Sequence, residues 1–328
     1  MIICFIPIVF VSVIYAQEFD FNSEDYYDAE ENSPNTNSED QSTNTDSEDT
    51  DKEPCIDGQI ESSAAVLSAV SDDSYSSNFH FVKKFDQNGN LVDSWGTVGP
   101  KDGQVLHAHG ITIDSQDNVY VSDAEKCNIQ KFDKDGNFIT KWGTKGIGPG
   151  EFLQPESMAV DSSDNIYLAE YSRKNIQKFD SNGKFITMWG KKGEKKGQFV
   201  HQHDITVDSK DNVYVTDGRQ NSRVSVFNDN GKFIKHWGSE GKDEGQFIEN
   251  HGIVVDSEGN VYVVDTRNVR IQKFDAEGNF ITMWGSLGCK DDQFLIPHDI
   301  AMDSKGYIYV TDSGKSHFRS DYECDETK

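Results

Sequence analysis

The chain has 328 residues, 35% of them hydrophobic, and carries 31 basic against 57 acidic side chains for a formal charge of −26. That length accommodates one large β domain or two ordinary ones, and so acidic a balance argues against nucleic acid as the main partner.

Ile2 to Ala16 is an apolar run too short to span a bilayer comfortably, and Ile14-Tyr15-Ala16 offers a small-residue cleavage site before Gln17. Residues 1–16 are therefore expected to be an export signal, so that the folded part is secreted or extracytoplasmic. Membrane contact is expected only if this segment stays uncleaved. Residues 18 to 53 hold fourteen acidic side chains and one base, Lys52, a balance of −13 and so half of the total charge. Almost empty of aliphatic side chains, residues 17–54 cannot bury enough surface to offset ordering entropy and read as a disordered acidic linker. Residues 55–78 form a poorly defined lead-in.

From Phe79 the sequence repeats. Its five tryptophans all occur as Trp-Gly, at positions 95, 142, 189, 237 and 284, with separations of 47, 47, 48 and 47. Each period contains four short alternating segments, as in HGITID, NVYVSD, NIQKFD and FITKWG. Hairpin turns rich in Asp, Asn and Gly join them, at 114 to 118 and 134 to 137 in the first full copy. These Asp-rich turns are too short for a calcium cage. Four-stranded units at such a period predict an all-β fold, a β-propeller over 79–314, followed by a C-terminal tail at 315–328. The copies begin with third and fourth strands (FVKKFD, LVDSWG) and end with first and second ones (HDIAMD, YIYVTD), which together would make one composite N/C-terminal blade. Counting then gives five blades. Six follow if Ala64 to Val70 and Ser316 to Tyr322 are further strands.

The first strand of each unit lines the central channel, and it opens on one column of residues: His109, Glu156, His203, His251 and His298. Imidazoles held close by a rigid ring suit zinc or another divalent transition metal, and Glu156 is an acid that can still serve as a ligand. Repeat inheritance is the competing reading of the same column. Cys4 falls in the export signal, leaving Cys55, Cys127, Cys289 and Cys324 with three possible pairings, among them Cys55 with Cys324 beside the closing blade. No nucleophile elbow, phosphate loop or CxxC motif appears; Gly146 to Gly150 is an inter-blade loop.

Gly245-Gln246-Phe247, His251-Gly252-Ile253, Asn260-Val261-Tyr262-Val263 and Arg270-Ile271-Gln272-Lys273-Phe274 resemble NHL repeats, whose propellers usually have six blades. Within that group the column is similar to peptidyl-α-hydroxyglycine α-amidating lyases. The resemblance implies zinc held by His109, His203 and His298, each two repeats apart and trigonal in a six-bladed ring, whereas five blades would bring in His251. It also implies Tyr171, Arg219 and Arg267 as catalytic side chains from loops after second strands, and a calcium site to which Asp299 would contribute. A further family arginine has no counterpart here, Lys83 and Lys84 being the nearest cations. Two functions stay open: a rigid platform binding a protein, a peptide or another ligand, and a zinc-dependent lyase giving peptide amide and glyoxylate.

Overall fold

The computed structural model describes residues 10–11, 80–85, 91–303 and 305–312. The rest of the expected export signal, the acidic linker, the lead-in, the possible strands Ala64 to Val70 and Ser316 to Tyr322, the tail, Cys55 and Cys324 lie outside the described residues. Cys127 and Cys289 are both disulfide-bonded.

Among the described residues there is no helix, and four four-stranded meanders follow one another. The first runs through Ala108–Ile113, Val119–Asp123, Asn128–Phe132 and Phe138–Trp142, each strand pairing antiparallel with the next. The others have inner strands Pro155–Val160, Gln202–Val207 and Asn250–Val255. The four segments read from the sequence coincide with these strands. Second and third strands such as Val119–Asp123 and Asn128–Phe132 are buried at every position, because sheets cover both of their faces. Outer strands such as Phe138–Trp142 alternate between half-buried and exposed.

The apolar core is divided into layers between neighbouring sheets. One contains Tyr167, Ala169 and Ile176 from one meander with Phe199, Val213, Val215 and Phe227 from the next. Trp95, Trp142, Trp189 and Trp237 each close such a layer by lying on the turn glycine of the following unit. A Cβ on Gly183 would sit 2.4 Å from the Trp142 ring, and one on Gly231 the same distance from Trp189. On the other edge, the Ser115 and Ser162 hydroxyls donate to Asp164 and Asp211 of the next meander, both at 2.8 Å. The turn aspartates serve the backbone: Asp114 Oδ1 accepts from the Gln116 and Asn118 amides, and Tyr120 donates to its Oδ2.

The ring closes differently from a composite blade. That blade requires Ile308–Asp312 to pair with His80–Phe85, but the two strands stand in different sheets. Pro297–Met302 and Ile308–Asp312 form a separate two-stranded sheet. Trp95, at the end of the other terminal sheet, packs on Gly136 as the later tryptophans pack on theirs. Leu91–Thr97 therefore belongs to a blade that precedes the first full meander, and Pro297–Met302 to one that follows the fourth. With the four full meanders, these terminal sheets make six.

Candidate functional site at the channel mouth

All five column residues sit in a β-bulge. In the first meander Ala108 faces Asp123 and Ile111 faces Val121, so His109 and Gly110 together oppose the single residue Ser122. The register shifts identically at Glu156-Ser157, His203-Asp204, His251-Gly252 and His298-Asp299. A bulge kinks the strand and re-aims its side chains. Here it turns two consecutive residues of each inner strand towards one cavity of about 310 Å³. The bulged amides of Gly110, Asp204 and Asp299 are satisfied by the hydroxyls of Ser122, Thr216 and Thr311.

Within the column, the His203 and His251 rings stack at 3.7 Å between centroids, and His298 meets His251 edge-on at 4.4 Å. His109 instead packs on His107, 4.6 Å away. Burial holds every one of these imidazoles in the neutral form: the pKa of His109 falls to about 3 and that of His298 to about 4, while those of His203 and His251 lie well below the usual value. Glu156 is displaced the other way, to about 8, because burial outweighs the charge of Lys174. The second bulged position holds Asp204 and Asp299. Burial raises both, Asp299 to about 7 with the charge of Asp204 adding to the effect.

The residue two places before each column member forms a further tier: His107, Gln154, His201, Glu249 and Ile296. They directly precede the inner strands, and the His201 and His203 rings lie 4.3 Å apart. Tyr171, from the loop after a second strand, hydrogen-bonds through its hydroxyl to His201 Nε2 and lies 6.3 Å from the His203 ring. The Lys174 ammonium sits 3.4 Å over the Tyr171 ring, and burial lowers its pKa to about 8 against the pull of Glu156. Glu249 comes from the next blade. Its carboxylate is paired by Arg267 on Oε2 and faces Arg219 Nε at 3.6 Å on Oε1.

The structure thus brings Tyr171, Arg219, Arg267, His203 and His251 to one side of the mouth. The expected zinc ligands His109, His203 and His298 line one cavity, but they are not among the described side chains that place three ligand atoms within 4.8 Å of one another. The described residues that do so are His201, His203 and Glu249. Glu156 and Asp299 likewise join no such group among the described residues. His201, Glu249 and Lys174 were not singled out from sequence. The signal for the first two was present, since His107-x-His109, His201-x-His203 and Glu249-x-His251 repeat at the same offset.

A single class of protein accounts for the repeated meanders, the six sheets and a ligand-sized cavity at their centre. The chain belongs to the 6-bladed beta-propeller family, whose profile matches residues 109–180 and 208–326, more than half of its length. No curated protein matches it in sequence. Among solved structures it is similar to a streptogramin B lyase, at 16% identity over 70% of this chain and 69% of that one, with a TM-score of 0.53. It is also similar to the gluconolactonase XC5397 from Xanthomonas campestris, at 12% identity over 70% and 75% with a TM-score of 0.51. A chain of a nidogen/laminin complex aligns at 15% identity over 70% and 81% with a TM-score of 0.52. At these identities the likeness is one of fold.

Proposed function

We propose that the protein is an exported propeller whose channel mouth binds a carboxylate presented by a peptide or protein, the ring serving as a rigid platform. One observation carries this reading. Arg219 and Arg267, from loops of adjacent blades, converge on Glu249 with side chains 40% and 44% exposed, beside Tyr171 and three buried histidines. Guanidinium groups fixed in this way favour a planar, doubly accepting anion, and the cavity that His203 and His251 line has the volume of a small-ligand site. Export is supported by the apolar first sixteen residues and by the disulfide-bonded state of Cys127 and Cys289.

Fluorescence anisotropy with a labelled tetrapeptide pool tests it, the pool carrying either free or amidated C-termini. The free acids are expected to bind at least about tenfold more tightly, a difference of roughly 1.4 kcal/mol, and Arg219→Ala/Arg267→Ala is expected to abolish the preference. Equal binding of acids and amides overturns the reading.

The contact between the Tyr171 hydroxyl and His201 supports a second reading, in which this pair moves a proton during cleavage of a C–N bond. Release of glyoxylate from a peptidyl-α-hydroxyglycine, lost in Tyr171→Phe, would select the lyase over the platform.

A further inference from the structure

We infer that His201, His203 and Glu249 bind a divalent transition metal of the zinc class at the seam between two blades, to one side of the channel axis. The inference rests on the reading that this mouth is the functional site, and it replaces the axial triad implied by the resemblance. One ligand atom from each of the three residues lies within 4.8 Å of the other two. All three are buried, at 3%, 6% and 5% exposure. Two imidazole nitrogens and one carboxylate oxygen match zinc, iron(II) or cobalt(II) and leave coordination positions open.

Three further observations point to a ligand there. His201 is engaged by Tyr171 only through Nε2, while its buried Nδ1 has no hydrogen-bond partner. An Nδ1 left bare inside a protein is uncommon, since buried polar atoms are nearly always satisfied. A metal on Nδ1 would fix the tautomer with Nε2–H donating to the Tyr171 oxygen, the outer support that ligating histidines usually have. On Glu249, Arg267 holds Oε2, and the buried Oε1 accepts no hydrogen bond, with Arg219 Nε facing it at 3.6 Å. Finally, Glu249 has its backbone in the left-handed region at φ +59°, which no other member of its tier does. Such a conformation is costly for a glutamate and directs its side chain towards the histidines of the neighbouring blade. The two guanidinium groups work against a lone dication, and a ligand carboxylate bound between metal and arginines would offset that repulsion.

The test uses the full chain, dialysed against chelator and then titrated with Zn²⁺ and Co²⁺ separately, with calorimetry and the visible absorption of cobalt as readouts. One equivalent is expected to bind, with cobalt bands typical of four or five N/O ligands. His201→Ala and the near-isosteric Glu249→Gln are each expected to weaken binding by about 100-fold or more, and Tyr171→Phe by about tenfold. His109→Ala and His298→Ala are expected to leave it unchanged. Thermal unfolding without metal serves as the folding control. A wild-type protein that takes up no stoichiometric metal overturns the proposal. So does binding that survives Glu249→Gln but is lost in His109→Ala. Carboxylate recognition without metal uptake removes this proposal alone, whereas metal uptake without a preference for acids over amides removes the carboxylate reading alone.

Discussion

Glu249 holds a left-handed backbone conformation that a glycine would adopt without strain. Relief of that strain is worth about 1–2 kcal/mol, and the ion pairs to two half-exposed arginines return about the same amount. Glu249→Gly is therefore expected to unfold within about 1 kcal/mol of wild type, as measured by denaturant titration, while losing metal and carboxylate binding. A large loss of stability would mean that Glu249 serves the fold instead of the site. Glu156 gives a pH prediction. Folded, it keeps its proton up to about pH 8, whereas the unfolded chain releases it near 4.5. The folded state binds the extra proton between those values, so the stabilisation present below pH 4.5 is lost as the pH rises to 8. Glu156→Gln removes this loss. Its melting temperature relative to wild type should climb between about pH 5 and about pH 8, and a constant difference would contradict the assigned burial.

At the level of elements, the period of 47 is a packing rule. Trp142 of one outer strand covers Gly183 in the turn of the next unit, whose φ of +83° is left-handed. Gly183→Ala adds both backbone strain and a clash with the indole, and a loss of roughly 2–3 kcal/mol is expected in chemical unfolding. Little or no loss would show that the layer between these blades can slide. Strands, turns and tryptophans were legible because each repeats in sequence what it does in space. The bulge was not. His109-Gly110 and His203-Asp204 read as ordinary strand residues, and only the pairing of Ala108 with Asp123 and Ile111 with Val121 shows two residues opposing one. That shift sets which histidines meet. The resemblance implied alternate blades, His109, His203 and His298, whereas ligand atoms of His201, His203 and Glu249, from adjacent blades, come together.

For the whole molecule, the blade count decided the geometry of the mouth, and counting repeats could not decide the blade count. The terminal half-units look complementary in sequence, but the two halves stand in separate sheets. The column lines one cavity at the channel mouth. Its chemistry then concentrates on one side, where Tyr171, Lys174, Arg219 and Arg267 surround buried, neutral imidazoles. Anomalous scattering from crystals of the cobalt-loaded protein tests this arrangement most directly. A single peak bounded by His201, His203 and Glu249, off the axis and beneath Arg219 and Arg267, is the result predicted. A peak on the axis among His109, His203 and His298 would contradict it.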